Sequence, residues 1–427
     1  MKKLNKVPSL NGIISVPGDK SISHRSLILG AMATGITTVS NLLNSADVNT
    51  TKQVLVDLGV DIWNEAGVTK INGKGGDNFH DPKNVLDMGN SGTSTRLLTG
   101  LISGAGLYAR IIGDDSLSKR PMDRVTKPLN SFGAKIESNN GRLPMNIHRS
   151  RLNKEIKFEL QVGSAQVKSA VMLAGIVNGS KTTIIDNFNT RNHTEVMLKQ
   201  FGAEIEVAGA EISIPADQHL HSVNVAVPGD ISSAAFWIVA GLLVKDSNLT
   251  IKNVGLNPTR SGIIKILQEM NAKIDIKRVN DDGEIVADIK PHFSQLTAMN
   301  IGGKVIPTCI DEIPILALAA TQAEGRTIIK DASELRVKES NRITTVTTEL
   351  NKLGANIQAT EDGFIIYGPT KLHSNDVHVS SNKDHRIAMM LAIAALITEG
   401  NVILEDDDSV GISYPTFFSD LERVVAK

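Results

Sequence analysis

Residues 17–26 read PGDKSISHRS. Five of these ten residues, Lys20, Ser21, Ser23, Arg25 and Ser26, carry a permanent cation or a hydroxyl that can bind an oxyanion, and Ile22 is the only large apolar side chain among them. An apolar alternating run, residues 13–16, comes before the stretch, and Leu27, Ile28, Ala31 and Met32 follow it at helical spacing. The pattern predicts strand, turn, helix, with Lys20, Ser21 and Arg25 at the junction. Unpaired backbone N–H groups and the helix dipole favour a phosphate or carboxylate there. The same residues also suit an ordinary capped helix, with Asp19 or Ser21 as N-cap and the cations in solvent.

Outward from this stretch, the strand, polar turn and helix recur six times. The leading strands and turns are GIISVPGDK, VLDMGNSG, FELQVGSA, VNVAVPGD, GGKVIPTCID and DVHVSSNKD. Their helices are SHRSLILGAMA, STRLLTGLISG, AQVKSAVMLAGIV, ISSAAFWIVAGLLV, EIPILALAATQA and HRIAMMLAIAALI. Helices apolar almost all round belong in a core. Each is followed by a β-branched strand and a second, amphipathic helix. Five of the second helices end in a recurring phrase, at DLGVDI, SFGAKI, QFGAEI, EMNAKI and KLGANI, where the glycine is the expected C-cap, and a further strand follows. The sixth, residues 415–425, runs to the end of the chain.

With Asp19, Asn90, Ser164, Asp230, Asp311 and Asp384 as markers, the spacings are 71, 74, 66, 81 and 73. Six βαβαββ-type units, three per domain, predict an upper domain of residues 20–224 and a lower one of residues 1–19 with 225–427. Residues 4–16 are expected to supply the strands that the sixth unit lacks. Each half is α/β, with strands outside and the apolar helices inside. No Pro- or Ser-rich linker separates the halves, so short crossovers near Lys20 and Ala226 are the expected hinge.

Composition narrows the function classes. Lys+Arg number 45 and Asp+Glu 46, a net charge of -1, so no bulk field points to nucleic acid or a membrane surface. Aromatic residues make up 4% of the chain, too few for a stacking platform on single-stranded nucleic acid. Cys309 is the single cysteine, which rules out an internal disulfide, and no Cys/His cluster suggests structural zinc. The N-terminal residues lack an apolar signal region, and no apolar run reaches the roughly 18 residues of a membrane span. The expectation is a cytoplasmic protein, monomeric, with small-molecule substrates.

The six units, together with PGDKSISHRS, GNSGTSTR, KRPM, RVKESNR and DHR, resemble the 5-enolpyruvylshikimate-3-phosphate synthase family over nearly the whole chain. The resemblance implies the two-domain inside-out α/β barrel of the enolpyruvyl transferases. It also implies transfer of the enolpyruvyl group of phosphoenolpyruvate to shikimate 3-phosphate, with neither metal nor organic cofactor and with glyphosate as a competitor of phosphoenolpyruvate. The related UDP-N-acetylglucosamine enolpyruvyl transferase carries a reactive cysteine in the loop around Pro121, where this chain has none. A non-catalytic anion-binding scaffold is a further alternative, in which Asp311 and Glu339 would only repel the ligand.

Taken as bare residues, each motif has a plain alternative. GNSGTSTRLL, residues 89–98, is a glycine-flanked turn that lets backbone N–H groups approach a phosphate, or simply a capped turn. SLSKRPMDRVTK, residues 116–127, gathers Lys119, Arg120 and Arg124 around Pro121, as a solvated charge run also would. GSAQVKSA and NTRNHTE each open a helix, the latter with Thr194 and Glu195 as a possible capping box. In RVKESNR, Lys338 and Arg342 are four apart and fall on one helical face if the segment is helical. Asp311 in CIDEIP starts a buried helix, where an acid suits the dipole.

The resemblance assigns roles to these residues. It implies Asp311, Glu339, Lys338 and Lys20 as catalytic. Lys20, Ser21, Arg25, Ser164, Gln166, Arg191, Asp311 and Lys338 would bind shikimate 3-phosphate. Lys20, Asn90, Gly92, Thr93, Arg120, Gln166, Arg342 and Arg386 would bind phosphoenolpyruvate. Arg96 is expected to pair structurally, His385 to stand behind Arg386, and His24 to be structural. Two positions depart from the family pattern: Ala165 replaces a second serine, and Ile412 in VGISYP replaces a lysine. Because the cations are divided between the two halves, anionic substrates are expected to favour a closed form.

Overall fold

The computed structural model describes residues 1–75, 79–280 and 283–425. The chain divides into two compact units, one of residues 1–17 with 228–427 and the other of residues 18–227. Both are mixed α/β, and each holds three small sheets around three buried helices.

In the unit of residues 18–227 the buried helices are Lys20–Met32, Gly92–Gly104 and Ala165–Asn178. The second packs against both of the others. It lies so close to Ala165–Asn178 that a Cβ on Gly100 would stand 2.2 Å from the Ala170 carbonyl oxygen, and one on Gly104 2.4 Å from that of Ala174. Small residues at one-turn spacing therefore set that helix spacing, which explains their abundance in the sequence pattern. In the other unit, Ile231–Leu243, Ile313–Thr321 and His385–Ala395 pack on one another in all three pairs. Leu316, Leu318 and Leu391 there are fully buried, so truncation of any one to Ala costs about 2–5 kcal/mol.

Each complete sheet repeats one pairing: a leading strand parallel to the strand after the buried helix, then two antiparallel strands. Glu155–Glu159 pairs parallel with Lys181–Ile185, which pairs antiparallel with Glu211–Ile214. All six sheets are open, and no closed sheet occurs among the described residues. The crossovers exchange strands. Asn224–Ala226, which leads into helix Ile231–Leu243, pairs with Thr34–Ser40, while Asn11–Ser15, which leads into helix Lys20–Met32, pairs with Asn248–Gly255. Residues 4–16 therefore do not all serve the sixth sheet. Only Lys2–Asn5 joins it, antiparallel to Asn401–Glu405, and that sheet has three strands.

The recurring phrase behaves as a C-cap in all five copies. Gly59, Gly133, Gly202, Asn271 and Gly354 have φ between 69° and 105°. The next residue's N–H returns to the helix, as from Val60 to Leu55 O at 3.0 Å. Asparagine tolerates the left-handed region, so Asn271 breaks the letter of the repeat and keeps its geometry. One leading strand differs from expectation. GGKVIPTCID, residues 302–311, forms no strand: the strand Asn300–Ile301 ends before it, and Gly303–Thr308 is a 3-10 helix, because Pro307 has no N–H to offer a ladder. No helix among the described residues is long and apolar enough to cross a membrane.

Candidate active site

In the unit of residues 1–17 and 228–427, the charged residues converge on Asp311, two residues before helix Ile313–Thr321. Its Oδ1 lies 3.7 Å from Lys338 Nζ and 3.4 Å from Arg342 Nη1, and its Oδ2 lies 3.9 Å from Arg386 Nη2. Lys338 and Arg342 do not share a helical face. Lys338 is extended and the helix starts only at Arg342, with Asn341 as N-cap, its side-chain oxygen accepting from the Thr344 N–H. The chain bends at residues 338–340, and both cations still meet one carboxylate.

Arg342 is the hub. It is 1% exposed and donates from Nε to Asp384 Oδ2 at 2.8 Å and from Nη2 to Glu339 Oε2 at 2.6 Å. Burial would lower its pKa, but Asp384 and Glu339 outweigh burial and raise it. Burial pushes the Glu339 carboxyl up, and the neighbouring Arg342, His385 and Lys338 more than reverse this, holding it well below the usual carboxylate range. Asp384 is held low in the same way, against its own burial, chiefly by Arg342. His385, buried and beside Arg386, is pushed down to about 4 and is neutral near pH 7. Arg386 opens its helix with a backbone N–H to Asp384 Oδ1 at 3.0 Å. Its guanidinium also lies 3.8 Å from Glu312 Oε1.

In the unit of residues 18–227 three helix starts carry the polar residues. Asp19 caps helix Lys20–Met32 through the Ile22 N–H at 2.8 Å, and Lys20 pairs with Asp47. Arg25 is buried, with Nε on Thr194 Oγ1 at 2.7 Å, Nη2 on Ser169 Oγ at 2.8 Å and Nη1 on Ser21 O at 3.0 Å. Ser91 and Ser164 cap the other two helices.

Asn90, Gly92, Thr93, Arg120 and Gln166 come together around Arg96. Gln166 bridges Thr93 Oγ1 at 2.9 Å and Arg96 Nη1 at 2.6 Å. Arg120 donates to the Asn90 side-chain oxygen, and the Asn90 amide donates to Asp114 Oδ2 at 2.6 Å. A Cβ on Gly92 would fall 2.8 Å from Arg96 Nη1 and 3.4 Å from Arg120 Nη1. Two helix starts, at Gly92 and Ala165, and two guanidinium groups make this a surface for planar or tetrahedral anions.

The sequence profile of EPSP synthase (3-phosphoshikimate 1-carboxyvinyltransferase) matches residues 4–421. The chain belongs to the EPSP synthase family. It is 49% identical over 428 residues to a 3-phosphoshikimate 1-carboxyvinyltransferase of Geobacillus kaustophilus, and 48% identical to one of Bacillus subtilis, with 100% of each chain covered in both cases. Among solved structures, an EPSP synthase from Acinetobacter baumannii superposes with a TM-score of 0.89 at 38% identity, covering 100% of this chain and 98% of that one. The enolpyruvyl transferase NikO from Streptomyces tendae shares the fold at 19% identity, with a TM-score of 0.80.

Within this family member, most residues singled out from the sequence fall into the two clusters above. Arg191 lies in the loop two residues before helix His193–Gln200. Thr194 is not a cap, because the helix starts at His193 and the hydroxyl meets Arg25 and Ser169 instead. Ile412 ends a 3-10 helix, Asp407–Ile412, and cannot supply the charge of a lysine. Asp47, Asp114 and Glu312, whose partners are Lys20, Asn90 and Arg386, carry no local signal in the amino-acid pattern. Arg96, expected to pair structurally, does so with Gln166, at the centre of the anion-facing cluster.

Proposed function

We propose that this EPSP synthase family member transfers the enolpyruvyl group of phosphoenolpyruvate to the 5-hydroxyl of shikimate 3-phosphate, releasing phosphate. The observation that carries the reading is the convergence of Lys338, Arg342 and Arg386 on Asp311 with Glu339 alongside, which supplies proton-transfer groups and anion-binding cations together. Asp311 takes the proton of the 5-hydroxyl as that oxygen attacks C2 of phosphoenolpyruvate. Lys338, an ammonium, protonates the methylene carbon, giving a tetrahedral adduct with a methyl group. Glu339 is ionised and so accepts rather than donates. It removes a proton from that methyl as the C–O bond to phosphate breaks, which restores the double bond.

The binding roles follow the chemistry of the clusters. Arg120, Gln166, Gly92, Thr93 and Asn90, with Arg386, Arg342 and Lys20, are read as the phosphoenolpyruvate set. Arg342 acts in part by orienting Glu339. Ser21, Arg25, Ser164, Gln166, Arg191 and Lys20, with Asp311 and Lys338, are read as the shikimate 3-phosphate set. The same reading takes the three sheet–helix repeats of each unit as an inside-out α/β barrel, and the working form as a cytoplasmic monomer.

The test is phosphate release from phosphoenolpyruvate by the purified chain. Release that requires shikimate 3-phosphate supports the reading. Release driven equally well by UDP-N-acetylglucosamine moves the chain to the sister reaction, and binding of both substrates without release leaves only an anion-binding scaffold.

A further inference from the structure

Lys168 lies one turn into helix Ala165–Asn178, behind Ser164 and Gln166, and the mechanism above gives it no part. It is 1% exposed. Its ammonium reaches Glu195 Oε1 at 2.6 Å, Asp186 Oδ2 at 2.9 Å and the Thr190 carbonyl oxygen at 3.3 Å. Asp186 follows strand Lys181–Ile185 and closes the next turn. Its Oδ2 accepts from the Thr190 N–H at 2.9 Å and hydroxyl at 2.7 Å, and its Oδ1 accepts from the Phe188 N–H at 3.0 Å. Glu195 belongs to the first turn of helix His193–Gln200. One ammonium thus gathers both ends of segment 186–195, and Arg191 sits inside that segment.

The neighbouring residue adds a second tie. Ser169 Oγ and Thr194 Oγ1 are 2.6 Å apart, and Arg25 donates to both. All these groups are buried. Desolvating an ammonium and two carboxylates costs several kcal/mol per ion, and apolar side chains of equal volume pack as stably or more so. Packing alone therefore does not account for the cluster, whereas a fixed backbone position does, because no apolar side chain can hold a carbonyl oxygen and two carboxylates at once.

We propose that Lys168 is a positioning residue, whose hold on Asp186, Thr190 and Glu195 fixes the Arg191 segment against the helix start of Ser164 and Gln166 and thereby shapes the phosphate subsite for shikimate 3-phosphate. The identity of that phosphate rests on the function proposed above. Lys168→Met and Glu195→Gln loosen the segment without touching a residue assigned to phosphoenolpyruvate alone. Misplacing a binding group by about 1 Å can cost up to ~100-fold. The expected result is a rise of about 10- to 100-fold in KM for shikimate 3-phosphate, with a much smaller change in KM for phosphoenolpyruvate and in kcat. Lys168→Arg, which keeps the charge, should recover part of the loss.

A purely structural role would lower the amount of folded enzyme and leave both KM values in place. If Lys168→Met fails to fold, Glu195→Gln decides the matter, since it retains the Lys168 pair with Asp186. Folded variants whose two KM values are unchanged, or rise together, overturn the proposal. The wild-type chain assayed alongside separates the two failures: if it shows no turnover with shikimate 3-phosphate, the functional reading falls and takes this proposal with it.

Discussion

Arg342 Nη2 lies 2.6 Å from Glu339 Oε2, three residues back along the chain, while its Nε is held by the fully buried Asp384. The contact keeps Glu339 ionised and holds it on the guanidinium that also meets Asp311. Arg342→Met leaves these carboxylates without their principal cation, so the variant should lose about 3–5 kcal/mol of stability at pH 7. The sign with pH follows from the shifts. In the wild type both carboxyls are depressed in the folded state, so their contribution is present above about pH 4 and lost as pH falls through the folded values. In the variant, burial drives them upward, so folding takes up protons. Its deficit should shrink between pH 7 and pH 4.5 in urea unfolding, and a constant deficit would rule out the charge argument.

Turnover and binding should separate at the proton-transfer groups. Asp311→Ala removes the proposed base, and Glu339→Gln removes the proposed acceptor. Each should lower kcat by about 10²- to 10⁴-fold, with KM for both substrates changing far less. Arg120→Ala should do the reverse and raise KM for phosphoenolpyruvate. A Glu339→Gln enzyme with near-normal kcat would remove Glu339 from the reaction.

The contrast between what the sequence pattern reveals and what it hides is physical. The six-fold recurrence was legible because small-residue helices and left-handed caps are local requirements, and Asn271 shows that the cap geometry outlasts the glycine. The exchange of Asn11–Ser15 with Asn224–Ala226 was not legible, since either leading strand is chemically able to pair with either neighbour and only the completed sheets decide. In RVKESNR, Lys338 and Arg342 do meet one carboxylate, Asp311, but not by sharing a helical face: Lys338 is extended and the helix starts at Arg342. Asp47 and Asp114 are not legible as site residues because an acid near a helix start reads as an ordinary dipole partner, and nothing local says that Lys20 or Asn90 lies across from it.

Gly92 is a steric prediction. The Cβ of Gly92→Ala would fall 2.8 Å from Arg96 Nη1 and 3.4 Å from Arg120 Nη1, both the far ends of flexible side chains. The helix should therefore fold with little loss, and the two guanidinium groups should shift. KM for phosphoenolpyruvate should rise, and glyphosate, as its competitor in this family, should inhibit less well. Unchanged inhibition in a folded Gly92→Ala enzyme would show that the two guanidinium groups do not set the inhibitor's affinity.

His24 makes the acid stability of the chain testable. It is fully buried in the helix that begins with Lys20, and its Nδ1 is 2.7 Å from Thr51 Oγ1, which in turn is 2.7 Å from Ser94 Oγ. Burial first, then the charge of Lys20, pushes its pKa down from 6.5 to about 3. Between those two values the unfolded chain binds a proton that the folded chain refuses, so stability is full above pH 6.5 and falls as pH drops toward 3. The slope from one such histidine is about 1.4 kcal/mol per pH unit, and His385, pushed down to about 4, adds a second. His24→Asn keeps a polar partner for Thr51 and removes the titration. Urea unfolding at pH 6.5, 5.5 and 4.5 should therefore show a variant whose stability falls less steeply than that of the wild type, by about 1.4 kcal/mol per unit. Parallel pH profiles for the two proteins would mean that His24 can take up a proton without leaving the fold.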